Sequence, residues 1–393
     1  MKKSLAALAF GTLGLGMVEF GMMSILSVVA AGLNISIPEA GHFISVYALG
    51  VCSGAVLLVF LSGNRPLKTL LIILMFIMCI GNFLAVIAPN YTFMLAARFI
   101  SGLPHGGFFG VAGIVAKRLA PRNKQVEAVA TMISGMTIAN LVGIPAASYL
   151  THIVSWHMLF LLVAVWGLIT IIAIYLWVPD VAPVSAKNFT AQFSFLKRPL
   201  PWFLLASIML GNGGLFSWYS YVNPIMVNIA KFPPHSMAWI MALSGLGMVM
   251  GNYISGRLST FISPVTLSAL MIGLMFVASV LMFFAAAYSY LALALMFIGV
   301  FGLFGVSGPE QFLIIDTSEG GGEILGASSA QVAFNLGNAL GAFFGGLPME
   351  LGYSVEYSTL PGCVLSLAGL ITIFYFGKYY RPQPSGHPVS QKA

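Results

Sequence analysis

The chain has 393 residues, 59% of them hydrophobic and only 7% charged, with 17 basic against 10 acidic side chains and a net charge of +7. A soluble globular domain is nearer about 25% charged, so the outer surface as well as the core must be apolar, and the chain belongs in a bilayer. The positive balance therefore does not point to nucleic acid, and Cys52, Cys79 and Cys363, lying far apart in apolar stretches, offer neither a disulfide framework nor a CxxC metal site.

Twelve apolar segments can be marked in chain order, each near the ~20 residues that span a bilayer. They cover 4–32, 41–62, 69–89, 91–116, 127–150, 157–178, 201–229, 236–258, 265–286, 289–314, 326–350 and 358–377. The runs are continuous rather than short and alternating, so they predict helices and not a β-barrel. The first follows Lys2 and Lys3. It is too long for a cleaved leader, and Glu19, in "LGMVEFGMMS", interrupts it. Glu19 is the only charged residue from Ser4 to Gly32.

Lys and Arg set the orientation. With the N-terminus inside, the inner segments hold Lys2, Lys3, Arg65, Lys68, Lys117, Arg118, Arg122, Lys124, Lys187, Lys197, Arg198, Arg257, Lys378, Arg381 and Lys392, which is 15 of the 17. The outer loops hold only Lys231, and Arg98 lies inside a span. This bias predicts a multi-pass protein of a bacterial cytoplasmic membrane with both termini in the cytoplasm.

The longest polar connection, 179–200, divides the chain into segments 1–178 and 201–393, six helices each. The halves echo each other. "LSGNRPLK" (61–68) answers "ISGRLS" (254–259), "FISGLPHGGFFG" (99–110) answers "FIGVFGLFGVSG" (297–308), and "GMTIANLVG" (135–143) answers "QVAFNLGNALG" (331–341). Three matches at one six-helix offset suggest a duplicated unit of parallel topology.

These stretches resemble the major facilitator superfamily over essentially the whole chain. "SGNRPLK" is similar to its loop motif between helices two and three. Arg65 and Lys68 stand at the basic positions, Asn64 where the family usually has Asp, and Leu67 where it usually has Gly. Arg98, Gly102 and "PHGGFFG" resemble its helix-four motif, and "SGMTIANLVGIP" the helix-five motif of the drug:proton antiporter branch. "GLGMVEFGMM", "SGLPHGGFFG", "SGMTIANLVGIP" and "FNLGNALGA" look most like the AraJ type within that branch, the arabinose or sugar efflux permeases. The resemblance implies an all-α membrane fold of 12 transmembrane helices in two six-helix bundles, with helices one and four lining a central cavity.

Depth places the charged residues. Glu19 lies about 22 Å from the inner edge, and Arg98 about 10 Å below the outer edge, at 1.5 Å per residue. In a core ~30 Å thick these depths nearly coincide, so the two could pair. Ionisable groups inside a membrane usually face a cavity or a partner. Glu19 and Arg98 are accordingly the proton-coupling candidates; a permanent ion pair holding two helices in register is the structural alternative. His105 follows Arg98 by seven residues, about 20° away around the helix. It is either a second polar station or a neutral ring bonded to a neighbour. Ser101 precedes it by four residues, but no acid is placed to orient that His as a serine hydrolase requires.

In "GNGGLFSWYSYVNP" (211–224), Asn212, Trp218, Tyr219 and Asn223 mix polar groups and ring faces, as sugar sites do. An interfacial aromatic belt would give the same pattern. Asn140, Asn335 and Asn338 sit in the echoed motifs and serve a cavity network or helix-helix hydrogen bonds. With His105 these are the substrate-binding candidates. Glu310 is expected at the inner boundary, solvated. Loop 315–324 holds three acids and no base, against four bases in 117–124. Arg65, Lys68, Arg257, Asp316 and Glu319 are therefore gating candidates, forming a cytoplasmic latch or ordinary solvation.

Together these features point to a secondary transporter, a proton-coupled exporter of a sugar or drug-like solute. A uniporter or importer remains as the alternative, and an intramembrane enzyme as the remote one. No GxxxxGK[ST] phosphate loop and no HExxH pair are present, and no filter-like repeat suggests a channel. No metal or cofactor is expected. The expected partners are a small-molecule substrate, protons and the lipid bilayer, with the chain acting as a monomer.

Overall fold

In a computed structural model the chain is described over residues 2–62, 65–121, 125–182, 194–259, 261–318 and 323–380. The described residues form fourteen α-helices of eight residues or more and no strand. In hydrocarbon every backbone polar group must be bonded internally, and the helix achieves this within one segment. The first expected segment is α1 (Lys2–Ser24) with α2 (Leu26–Leu33). Segments two to four are α3 (Ile37–Ser62), α4 (Leu67–Val86) and α5 (Tyr91–Leu119). The fifth is α6 (Gln125–Ile138) joined to α7 (Ile144–Ile153) by a π turn over Ala139–Gly143, and the sixth is α8 (His157–Trp177). Segments seven to twelve are α9 (Pro199–Tyr219), α10 (Met237–Leu258), α11 (Pro264–Ala285), α12 (Ser289–Thr317), α13 (Glu323–Glu350) and α14 (Thr359–Tyr379).

Ten of these passes are long and apolar enough to cross a membrane, and α3 joins them together with α2 across a 113° bend. The twelfth, α13, has 28 residues but carries Gln331, Asn335 and Asn338. Along α8 the large side chains of Leu168, Ile172, Tyr175 and Leu176 are exposed, the pattern of a lipid-facing stripe.

Local chemistry sets the breaks. Asn34 adopts the left-handed conformation (φ 53°) that closes α2. Ser36 and Glu39 then form a reciprocal cap at the start of α3, with the Ser36 N–H donating to Glu39 Oε2 at 2.8 Å and the Glu39 N–H to Ser36 Oγ at 3.4 Å. Pro145 has no N–H to close on Leu141, and the Ile144 N–H reaches back to the Ala139 carbonyl instead, widening the turn. Pro309 likewise leaves the Gly305 carbonyl of α12 free, and the Ser255 hydroxyl of α10 donates to it.

The packing repeats at an interval of six passes. Pass two lies on pass four (α3·α5) as eight lies on ten (α10·α12), and three on four (α4·α5) as nine on ten (α11·α12). One lies on five (α1·α6) as seven on eleven (α9·α13), and one on six (α1·α8) as seven on twelve (α9·α14). Between the halves, α3 lies along α13 and α10 along α7. The register repeats too. A Cβ on Gly50 or Gly54 would lie 2.3 or 1.8 Å from the carbonyl oxygens of Phe99 and Leu103, and one on Gly247 or Gly251 would lie 3.0 or 2.1 Å from those of Phe297 and Phe301.

The end bearing Asn34 and Glu350 is called the outer end, following the charge bias. There the halves interlock. The Asn223 amide donates to the Ser24 carbonyl at 2.8 Å, and the Ser27 N–H donates to Asn223 Oδ1 at 3.2 Å. His42 of α3 lies 3.8 Å from the Glu350 carboxylate of α13. Tyr221 closes against Gly41, with its hydroxyl donating to the Ala342 carbonyl at 2.7 Å.

Candidate functional site

Glu19, Arg98 and His105 meet where α1, α3 and α5 converge, 2%, 0% and 2% exposed. Their depths agree as expected, but the pairing differs. The nearest ionisable partner of the Glu19 carboxylate is His105, whose Nε2 lies 3.7 Å from Oε2. Arg98 acts on Glu19 through space without direct contact. Its guanidinium donates from Nε to the Phe43 carbonyl at 3.3 Å and from Nη2 to the Val18 carbonyl at 3.2 Å, and it lies 4.4 Å over the Tyr47 ring. Such a desolvated cation–π contact is worth about 2 kcal/mol. The Tyr47 hydroxyl pairs with His105 Nδ1 at 2.8 Å, and Phe109 stacks on the imidazole at 5.2 Å. Pro104 precedes His105 inside α5.

Three members of this group carry buried polar atoms without a partner: Glu19 Oε1, Arg98 Nη1, and both side-chain polar atoms of Asn338. Asn338 faces Glu19 from α13, across the boundary between the halves. Buried polar groups are nearly always satisfied, so a cluster of orphans marks a place built for something else.

The other substrate candidates divide. Asn212, 2% exposed on α9, bonds the Ile208 carbonyl at 2.8 Å through Nδ2 and leaves Oδ1 free. Asn335 bonds the Gln331 carbonyl at 3.0 Å and also leaves Oδ1 free. Asn140 bonds the Met136 carbonyl at 2.9 Å, and its own carbonyl lies against Gly245 of α10. Trp218, Tyr219 and Asn223 are instead consumed by the protein. The Trp218 indole donates to Ser279 Oγ at 2.9 Å, the Tyr219 and Ser244 hydroxyls share a 2.5 Å bond, and Asn223 ties α9's continuation to α1 and α2. All three are buried and bonded within the protein, so they do not form a lipid-facing belt. Arg98, His105 and Asn212 are buried rather than open to solvent.

Glu310 is a correction. It is 3% exposed rather than solvated, because α12 continues to Thr317 and carries it inward from the helix end. Among the gating candidates, Arg65 is exposed, Lys68 lies 5.3 Å over the Tyr175 ring, and Arg257 lies 5.1 Å over Tyr253. Asp316 accepts from the Tyr380 hydroxyl of its own half, while Arg118 donates to the Ala182 carbonyl at 2.5 Å. Among the described residues neither is paired across the halves. Glu319, Arg122 and Lys124 lie outside the described residues. Tyr47 and the His42–Glu350 contact were not singled out from the sequence, since a tyrosine or histidine near a helix end carries no signal of its own.

The comparisons agree with this architecture. The profile of the Major Facilitator Superfamily matches residues 8–346. AraJ of Escherichia coli (strain K12), named as a transporter, is 43% identical over 392 residues, covering 100% of this chain and 99% of that one. A protein of Helicobacter pylori (strain ATCC 700392 / 26695) named as a sugar efflux transporter is 25% identical over 377 residues, covering 95% and 92%. Among solved structures, a D-xylose-proton symporter superposes with a TM-score of 0.74 at 13% identity, covering 97% of each chain. With twelve helical passes and a profile match over most of its length, the chain is a multi-pass membrane transporter, not an enzyme, and belongs to the Major Facilitator Superfamily.

Proposed function

We propose that the chain exports a small sugar-like or drug-like solute from the bacterial cytoplasm in exchange for protons, by alternating access between two six-helix bundles, 1–178 and 201–393, linked by 179–200. The observation that carries this reading is the orphaned cluster at the boundary of the halves. Glu19 Oε1, Arg98 Nη1 and Asn338 are buried without partners. A proton on Glu19, or a solute hydroxyl between Glu19 and Asn338, would satisfy them. In the tautomer where the Tyr47 hydroxyl donates to Nδ1, the Nε2–H of His105 faces Glu19, and the ring is placed to pass a proton along α5. Burial disfavours the charged carboxylate and a guanidinium favours it, so any movement between α1 and α5 changes proton affinity.

Sugar as the solute class is supported by the name of the Helicobacter relative. The interlocked outer end fits a conformation closed to the outside. The charge bias supports termini and linker in the cytoplasm. Single cysteines at Ala186 and Asn90 test this, with impermeant label expected at 90 and excluded at 186 in intact cells.

The decisive experiment is solute flux in proteoliposomes with and without an imposed pH gradient. The parent protein is expected to concentrate solute on the gradient. Glu19→Gln keeps the shape but cannot release a proton, and is expected to abolish uphill transport while sparing downhill exchange. Flux indifferent to the gradient in the parent would make the protein a uniporter. Accumulation with the proton flow rather than against it would make it an importer.

A further inference from the structure

The seam between α3 and α13 joins the two halves, and its outer rim carries a titratable pair that the cluster around Glu19 does not use. His42 of α3 meets α13 at two points. Its imidazole stacks on the Phe343 ring with centroids 6.1 Å apart, and its Nε2 lies 3.8 Å from Oε1 of Glu350. Phe343 and Glu350 are seven residues apart and so share one face of α13. A separation of 3.8 Å is too long for a hydrogen bond but within reach of an ion pair. The strength of the contact therefore depends on whether the ring is charged. The two side chains are 26% and 45% exposed, so water and protons at that end reach both.

The ring is held in place in either charge state. Its Nδ1 pairs with the Tyr91 hydroxyl of α5 at 2.7 Å. A hydroxyl both donates and accepts, so it can donate to the neutral ring and accept from the protonated one. The other titratable groups around the pair are each tied within their own half. Glu39, three residues before His42, is bonded by the Ser36 N–H at 2.8 Å and the Ser36 hydroxyl at 2.7 Å. Tyr91 lies in the same half as His42. Tyr221, beside Gly41 and Gly346, donates to the Ala342 carbonyl of α13, and Glu356, in the turn packed on α13, accepts from the Ser354 hydroxyl. The outer ends of α1, α2, α4, α9, α12 and α14 bring no charged side chain to this rim. Attractions within one half are unchanged when the halves part. The attraction of His42 for Glu350 is lost.

We infer that His42 and Glu350 form a latch across the outer mouth that tightens when His42 takes up a proton, so that acidity at that face holds the transporter closed to the outside. A histidine changes charge between about pH 5 and 8. Below that window the imidazolium attracts the carboxylate and favours the closed outer end. Above it the attraction is gone, and the outer end opens more readily. An exposed pair of this kind changes the ratio of open to closed by up to about five-fold. The latch presupposes alternating access between the halves, but not proton-coupled transport, and it is separate from Glu19.

The test is the distance between two spin labels, one in each half at the outer end, on the exposed positions Asn90 and Tyr290. It is read by pulsed electron resonance on purified protein from about pH 5 to about pH 8. Cys52, Cys79 and Cys363 are replaced by alanine, so that only the two chosen sites are labelled. Glu19→Gln is the background, which removes the central carboxylate from any response to pH. Two distance populations are expected, the longer one rising by up to about five-fold from the acid to the alkaline limit. Glu350→Gln and His42→Gln should each make the ratio independent of pH, and Glu350→Gln does so with the Tyr91 bond in place. Glu39→Gln should leave the response intact, because Glu39 bonds only within its own half. Two populations whose ratio ignores pH in the Glu19→Gln background overturn the latch and leave alternating access standing. A pH-dependent ratio that survives Glu350→Gln also overturns it. A single distance at every pH and in every variant overturns the latch and alternating access together.

Discussion

The two halves share a backbone and differ in chemistry. Gly50 and Gly54 meet the carbonyls of α5 as Gly247 and Gly251 meet those of α12, and Gly16 meets Ala139 as Gly213 meets Gly337. Carried along these helices, that register sets Glu19 against Phe216, Tyr47 against Ser244, Arg98 against Met296, His105 against Leu303 and Asn140 against Asn338. The first half therefore holds an acid, a guanidinium, an imidazole and a phenol where the second holds a phenylalanine, a methionine, a leucine and one hydroxyl. Phe20 stacks on Phe216 with centroids 6.4 Å apart, so the apolar equivalent lies beside the ionisable site. The second half places its own buried carboxylate elsewhere, at Glu310. The close packing thus repeats between the halves. The polar groups do not repeat.

The largest expected effect comes from making the first half resemble the second at its cation. Arg98→Met installs the residue found at the equivalent position. It strips the donors from the Phe43 and Val18 carbonyls and leaves Glu19 buried without a nearby cation. Breaking a buried charged arrangement from one side costs about 3–5 kcal/mol. Both downhill and uphill flux should fall to background, with a lowered melting temperature. Glu19→Phe/Arg98→Met copies the second half fully and removes both charges together. Apolar replacement of a buried pair is often neutral or stabilising, so the double variant should regain thermal stability and still transport nothing. A double variant less stable than Arg98→Met would mean the two halves are not equivalent here.

The next effect tests the shared scaffold. A Cβ at Gly54 would lie 1.8 Å from the Leu103 oxygen and one at Gly251 would lie 2.1 Å from the Phe301 oxygen. Backbone cannot swing aside as a side chain can, so Gly54→Ala and Gly251→Ala should each cost about 1–3 kcal/mol. Thermal unfolding in detergent measures both. Similar losses support the repeated packing, whereas tolerance at one position confines the close approach to one half.

Much of this was legible in the sequence, and the reason is depth. Apolar runs of fixed length gave the twelve passes, and counting residues from each end placed Glu19 and Arg98 at one level. Two of the echoed motifs carry glycines at close contacts, Gly102 against the Tyr47 carbonyl, Gly135 against that of Ala9, and Gly337 and Gly341 against those of Met209 and Gly213. What could not be read is direction around the axis and helix extent. Arg98 turned to carbonyls and a tyrosine ring rather than to Glu19, because those acceptors lie on neighbouring passes that no spacing rule locates. Glu310 looked peripheral because α12 runs three residues beyond the expected 314, to Thr317. Trp218 and Asn223 looked available because composition shows donors but not who accepts from them.

The smallest effect separates geometry from charge within the cluster. Tyr47 has two functions: its ring lies 4.4 Å under the Arg98 guanidinium, and its hydroxyl pairs with His105 Nδ1 at 2.8 Å. Tyr47→Phe keeps the ring and deletes the hydroxyl. A single hydrogen bond of this type contributes about 1 kcal/mol to stability, so the melting temperature and downhill exchange should change little. The imidazole, however, loses the partner that fixes which nitrogen carries the hydrogen facing Glu19, 3.7 Å away. Proton-driven flux should therefore keep its maximum rate within a few-fold and change its pH profile. The second half offers the control, since Ser244 stands at the equivalent position and bonds the Tyr219 hydroxyl instead of an imidazole. Ser244→Ala removes a hydroxyl of the same register and should leave the pH profile of the parent intact. If Tyr47→Phe also leaves it intact, His105 is a spacer beside Glu19, and the proton reaches the carboxylate without passing along α5.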